Sequence, residues 1–414
     1  MATARSFQDM LNEYLPNQML MEEMIKRDWV LTNVEKDDSW KGGRLITPFE
    51  GACASSIEFG QLPDSSDISE YEYVRGYMDV QPEVWGSLIF NHRDLMEHNG
   101  KIPETTFLKI LPGQVDGFMK KIKEGVSTQL LNGPHFATFT ADGTVGGVIE
   151  VDHIDRFTLG QKLTIKDSDS AATDVYVIAI SIDDSTITVS ATRGGAAADV
   201  SAYSVAQEAK CYHPGVLTNA TFQSMRSALL SQANGGAATV QNVSKLAYPM
   251  LQAVNSGAAF GASITATNIL DKLFDFYTSV RSKAKGNANT ILMSYKHLGS
   301  VLKLLEAQKG PFVVTKNLQA SLYGWSEITI SSVRGELRLV GILEADDDVI
   351  MYLDMSTFKF YTNGGFKKRQ APDGREWFEL RSTSGYSYIV DICLFGDLAC
   401  LIPGHNGIIN GISY

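Results

Sequence analysis

The C-terminal third of the chain, from Ile328 to Ile412, constrains the fold most, because its apolar residues alternate with period two through one segment after another. Leu337-Arg338-Leu339-Val340, Val349 to Leu353, Phe358-Lys359-Phe360-Tyr361, Trp377-Phe378-Glu379-Leu380, Tyr386 to Leu394 and Leu398-Ala399-Cys400-Leu401 each predict a strand. The Gly, Asp and Asn residues between them predict turns. Strands this closely spaced form a sheet, and the remaining residues have to cover it.

Upstream, helical and extended patterns alternate. Phe7, Met10, Leu11, Tyr14 and Leu15, then Leu20, Met21, Met24 and Ile25, repeat at helical spacing on either side of Pro16. Arg44 to Ile46 and Glu70 to Val80 predict two long strands joined by a polar tip from about Glu50 to Ser69. A two-stranded hairpin with few partners is not stable in isolation, so it must lie on something else. A helix is predicted from Pro112, with Val115, Phe118, Met119, Ile122, Val126 and Leu130 on one face and Asn132-Gly133-Pro134 as its end. From about His135 to His213, closely spaced short strands, including Tyr203 to Ala209, predict a small all-β unit with turns at Asp183-Asp184 and Gly194-Gly195. Helical spacing returns at Thr221 to Gln232, at Val240 to Val254, in a helix capped by Thr267, and at Tyr295 to Gln308 after a strand from Thr290 to Met293.

With 414 residues, 44% of them hydrophobic, the chain can build two or three lobes. Its net charge of −11 argues against a protein that wraps nucleic acid, since that affinity comes from clustered Lys and Arg. The all-β unit contributes −6 of this charge: eleven carboxylates between Asp142 and Glu208 stand against Arg156, Lys162, Lys166, Arg193 and Lys210. Cys53, Cys211, Cys393 and Cys400 lack metal spacing and predict free thiols in a reducing compartment. With no signal peptide and no apolar run long enough to span a bilayer, a soluble protein made in the cytosol is expected. No nucleophile elbow, phosphate loop, dinucleotide turn or H-E-x-x-H helix is present, and the seven histidines are scattered. Neither a cofactor nor a metal is expected. Asp346-Asp347-Asp348 predicts a solvated turn, because adjacent carboxylates cannot converge on one cation.

The wording DDDVIMYLDMSTFKFYTNGG, followed by REWFELRSTSGYSYIVDICLFGDLACLIPGHNGIINGI, resembles the C-terminal part of the major capsid proteins of tailed bacteriophages, with their HK97-like fold. In that family a late strand runs into a Gly-Asp-Leu turn, here Gly396-Asp397-Leu398, and a last strand ends in Gly-Ile-Ile, here Gly407-Ile408-Ile409. The resemblance implies an α+β chain with an N-terminal arm (1–38), an extended β-hairpin loop (39–90) and a peripheral domain with a long spine helix (91–134). An inserted all-β domain (135–215), a mainly axial domain (216–335) and C-terminal strands returning to both sheets (336–414) follow. It further implies a non-enzymatic structural protein that self-assembles, as pentamers and hexamers, into the icosahedral shell of a virion. That shell encloses double-stranded DNA without reading its sequence and is built in the host cytoplasm. Scaffold, portal and decoration proteins are the implied partners, and because the chain starts at Met1 close to the arm, the scaffold is expected to be a separate protein. Encapsulin compartments, which share the fold, are the nearest alternative. An enzyme or a carbohydrate-binding protein is the alternative of a different class.

The resemblance also places the hairpin over a neighbouring subunit. The hairpin tip carries Glu50, Glu58, Asp64, Asp67, Glu70 and Glu72 without one Lys or Arg among them. Its expected partner is the densest basic group of the C-terminal sheet, Lys367, Lys368, Arg369, Arg375 and Arg381. Each exposed pair would contribute about 0–1 kcal/mol and weaken with salt. Some family members cross-link a Lys of this loop to a neighbour's Asn, and here the amine is absent between Glu50 and Glu72. Assembled particles boiled in denaturant and reductant are therefore expected to run as monomers, and a ladder of multimers would refute this.

Overall fold

Five consecutive apolar residues, Val349–Leu353, form a strand in which every side chain is buried. In the computed structural model this strand lies inside a seven-stranded mixed sheet, ordered Val254–Asn255, Gly407–Asn410, Val349–Leu353, Thr290–Ser294, Gly335–Ile342, Trp325–Ser332 and Val314–Lys316. Successive side chains on a strand point to opposite faces. Val349, Met351 and Leu353 accordingly enter one core, and Ile350 and Tyr352 enter another. Neighbouring strands divide in the same way, Leu292, Val340 and Ile408 against Ile291, Leu339 and Ile409. Helices Ile269–Lys283 and Tyr295–Gln308 close the second face, and the Tyr352 hydroxyl donates to the Leu273 carbonyl at 2.9 Å.

The structure describes residues 15, 22, 26, 28–41, 43–52, 72–79, 82–91, 104–217, 221–234, 236–283, 286–308, 314–316, 325–332, 335–382 and 385–413. The amphipathic repeats expected before Trp29 lie almost wholly outside these residues, although Leu15 is buried in the first core.

That first core continues into a second sheet. Strands Glu35–Asp37, Phe358–Lys368, Gly385–Cys400 and Phe378–Ser382 follow in order, and Glu83–Asn91 also pairs with Gly385–Cys400. The helix Glu104–Leu131 packs Phe118, Met119, Ile122, Val126 and Leu130 against this sheet, and at 28 residues it is about 42 Å long. A side chain at Gly86 would collide with Phe118 and Ile122, so glycine sets how closely helix and sheet approach. The helix begins well before Pro112, the start expected from the sequence. A proline removes one backbone hydrogen bond from a helix interior, and the apolar face that follows supplies the packing that keeps the helix continuous.

Three further expectations are corrected. Val240 to Val254 is not helical: Thr239–Val240 and Val243–Ser244 form a tight hairpin, followed by a 3-10 turn at Pro249–Leu251. Gln241 and Asn242 both take positive φ, 47° and 64°, the geometry of a two-residue hairpin turn. The helix expected over Thr221 to Gln232 is confined to Met225–Leu229. In the all-β unit, Tyr203 to Ala209 is a loop with a 3-10 turn that ends at Glu208 in the left-handed region, and the strand is Lys210–Tyr212.

The all-β unit is a six-stranded antiparallel sheet, ordered His135–Thr138, Lys210–Tyr212, Lys162–Lys166, Thr173–Ser181, Thr186–Ser190 and Val148–Glu150. Its cluster, built around Phe136, Leu163, Ile165, Val175, Val177, Ile187 and Val189, is separate from the other cores. The unit's first and last strands pair with each other, His135 opposite Tyr212, so its two ends are adjacent. Replacing about Phe136 to Tyr212 by a short Gly/Ser linker is therefore expected to leave a folded protein with a cooperative thermal transition. Loss of that transition in calorimetry would show that the body depends on the unit.

Candidate assembly surfaces

The long hairpin is a two-stranded sheet of its own. Leu45–Ala52 and Glu72–Met78 pair antiparallel, and among the described residues neither pairs with any other strand. Its base is anchored to the tight turn at Gln241-Asn242. The Tyr77 amide donates to the Gln241 carbonyl at 2.9 Å, the Asn242 side-chain amide donates to the Tyr77 carbonyl at 2.9 Å, and the Thr47 hydroxyl donates to the Gln241 side chain. Phe49 packs with Val240, Val243 and Leu251 beneath it. Arg44 pairs with Asp79 at 2.5 Å and lies over the Tyr77 ring. Of the acidic tip residues, Glu50 lies opposite Tyr73 and Glu72 opposite Ala52 in the paired strands. Glu58, Asp64, Asp67 and Glu70 lie outside the described residues.

The structure divides the basic group that sequence reading put together. Lys368 is 7% exposed and its ammonium meets Glu376 at 2.6 Å, so it is an interior ion pair rather than a surface cation. Arg375 pairs with Asp373 at 2.5 Å and covers the Trp377 ring, and Arg369 lies over Phe378 with Asp391 at 3.5 Å. Half-buried Lys367 donates to the Asn363 side chain at 3.2 Å. Arg381 stands in the strand opposite Tyr386. Beside this group, the strand Glu83–Asn91 turns Trp85 and Ile89 outward, 51% and 48% exposed.

The aspartate triplet, expected as a solvated turn, is corrected in part. Asp347 is a solvated turn residue, with Lys296 at 3.8 Å, but Asp346 is buried. Its carboxylate receives Asn132 Nδ2 at 2.9 Å, an Arg156 Nη1 contact at 3.2 Å and an Arg226 Nη1 contact at 3.1 Å, with His135 and His153 each at 3.8 Å. Arg226 also grips Asp348, its shorter bond 2.6 Å. Burial pushes His135 down to about 4, against the pull of Asp346, which keeps the imidazole neutral near pH 7. Sequence reading missed this hub because its parts lie far apart in the chain. The available signal was a run of acids set between two strongly apolar strands, where solvent cannot reach every carboxylate. Among the described residues no group of His, Cys, Asp and Glu could hold a metal ion, and no helix is long and apolar enough to cross a membrane.

Gly396-Asp397-Leu398 is not a turn but the interior of the 16-residue strand Gly385–Cys400. A side chain at Gly396 would strike the Phe360 ring, and Asp397 is buried, accepting the Gln223 and Leu398 amides at 2.7 and 2.8 Å. Burial pushes its carboxyl up to about 7.

No family model matches the chain, and no curated protein sequence matches it. Several solved structures are similar in arrangement over nearly the whole chain. A capsid chain of cyanophage A-1(L) is 12% identical, covers 100% of this chain and 98% of its own, and has a TM-score of 0.47. The capsid of an empty GTA particle is 10% identical over 94% of this chain and 90% of that one, TM-score 0.46. The SrpI encapsulin of Synechococcus elongatus is 8% identical over 93% of this chain and 86% of its own, TM-score 0.39.

The buried Asp397 generates a pH dependence. Its folded value, about 7, lies above the ordinary aspartate value of 3.8, so ionising it opposes folding. The penalty is absent below about pH 4, grows up to about 7 and is complete above it. Asp397→Asn keeps an oxygen acceptor and cannot ionise. Its stability relative to wild type, measured by chemical denaturation, is expected to rise between pH 5 and pH 8, and a constant difference would contradict the assignment.

Proposed function

We propose that this chain is a shell subunit with no enzymatic activity, the major capsid protein of a tailed phage, which self-assembles into an icosahedral capsid around double-stranded DNA. The observation that carries this reading is the long hairpin, fixed at its base and paired with nothing else among the described residues. Two strands alone are marginal in water, and in a shell the missing support comes from the next copy. Contacts of this heterologous kind close into rings, and an extended loop enlarges each contact beyond what two compact lobes could bury. The continuous core between the two sheets supports the reading, because a subunit repeated around several axes has to keep its shape. The acidic six-stranded unit is an insertion that faces outward, since its charge of −6 would be repelled by enclosed DNA.

Partners of the hairpin tip are then basic side chains at the surface of the neighbouring subunit's second sheet. Lys367 and Arg369 qualify, whereas Lys368, held by Glu376, belongs to the interior. An encapsulin-type compartment fits the same subunit geometry, and particle contents decide between the two.

Negative-stain electron microscopy of the expressed protein is expected to show closed hollow particles, and a protein that stays monomeric at every concentration would refute the shell reading. Particles from the native source are expected to carry nucleic acid. A protein cargo would instead mark a compartment. Reversing Lys367 and Arg369 to Glu is expected to lower particle yield while the monomer keeps its circular dichroism. Unchanged yield and unchanged salt sensitivity would remove these two residues from the contact.

A further inference from the structure

The six-stranded unit meets the body across a seam unlike either core. Its hydrophobic cluster shares no residue with the body's clusters. The chain crosses the seam at Asn132-Gly133-Pro134 and again after His213, and both crossings contain a glycine at positive φ, Gly133 at 118° and Gly215 at 82°. Such backbone is readily adopted by glycine and by few other residues. His213 stacks on Phe136 with ring centroids 4.6 Å apart, so the two crossings lie side by side, as the strands of a hinge would.

Between the crossings the seam is ionic. Arg156 from the unit reaches Asp346 on the body, a carboxylate that Arg226 of the body also holds, and beside it on the body Lys123 of the long helix meets Glu344 at 2.6 Å. Cavities of about 310 Å³ and 470 Å³ flank this hub, the first lined by Arg156, Glu344 and Leu343, the second by His135, Asp152 and Asp346. Nε and Nη2 of buried Arg156 have no hydrogen-bond partner among the described residues. An interface packed with apolar side chains resists rotation at every contact. A seam with open space on both sides and one shared carboxylate resists it at one point.

From this geometry we infer that the six-stranded unit is a hinged rigid body latched to the shell lobe by Asp346, able to turn about Gly133 and Gly215 while both main cores stay closed. Breaking a buried ion pair from one side leaves an uncompensated charge, so the latch has two states rather than a continuum. The unit keeps its own sheet and cluster in either state.

Hydrogen exchange read by mass spectrometry on the full chain tests this with Asp346→Asn, which keeps the side chain's shape and removes its charge. Exchange at residues 132–133 and 213–217 is expected to rise about tenfold or more, the scale of a local opening made easier by losing one buried ion pair. Peptides covering Lys162–Lys166 and Val349–Leu353 are expected to keep wild-type protection. Unchanged exchange at the two crossings overturns the latch, and so does loss of protection in the strands together with the crossings, which would mean general unfolding. Should Asp346→Asn fail to accumulate as folded protein, Arg156→Gln removes the unit's half of the pair and leaves the body's residues intact. The same pattern at smaller amplitude then supports the latch, and wild-type exchange at both crossings overturns it.

Discussion

A sheet shared by two cores is the constraint on which the rest of the fold depends. Each strand from Thr290–Ser294 to Gly407–Asn410 sends alternate side chains into opposite cores, so the register of one lobe fixes the register of the other. A slip of one residue in Val349–Leu353 would carry Tyr352 from the helix-covered side to the side of the long helix, and its hydroxyl would lose the Leu273 carbonyl. Side chains of that size cannot exchange places in an interior packed to crystal-like density. The lobes are therefore coupled through side-chain volume, which is a stiffer coupling than any set of surface ion pairs.

Where apolar strand patterning was strong, the fold was legible in the sequence, and where polar residues did interior work it was not. Val349 to Leu353 and Thr290 to Met293 read correctly because burial on both faces makes an unbroken apolar run. Asp397 broke such a run and was read as a turn, although two backbone amides meet its carboxylate and let the strand continue through it. Val240 and Val243 misled for a different reason: a spacing of three is helical, and it is also the spacing across a two-residue hairpin turn. Sequence alone has no means of choosing between these without knowing that Gln241 and Asn242 sit at positive φ. The basic group was legible as a cluster in sequence but not as a surface, since adjacent strand residues face opposite ways and Lys368 turned inward.

Burying these polar groups is costly, and what they secure is orientation. Replacing a buried ion pair by apolar residues is often neutral or stabilising, so Lys368 with Glu376 and Asp346 with its two arginines are not explained by stability. Each joins segments that hydrophobic burial alone would leave free to slide: the end of Phe358–Lys368 to the loop before Phe378–Ser382, and the long helix to the six-stranded unit. Lys245 acts similarly, donating to the Ser227 and Leu230 carbonyls and so holding the end of the short helix Met225–Leu229 in place.

The same reasoning explains the hairpin. Phe49 and its apolar neighbours would bury equal area over a range of hairpin angles, but the Tyr77 amide and carbonyl meet Gln241 and Asn242 at only one. A turn in left-handed backbone is stiff, because few residues adopt it and no neighbouring well lies close by. The hairpin's direction is therefore set at its base, by contacts within its own chain. An extended arm directed in this way loses less freedom on docking than a loop that must first find its orientation. In the proposed shell, strands that are marginal alone would meet the neighbouring copy with their direction already set.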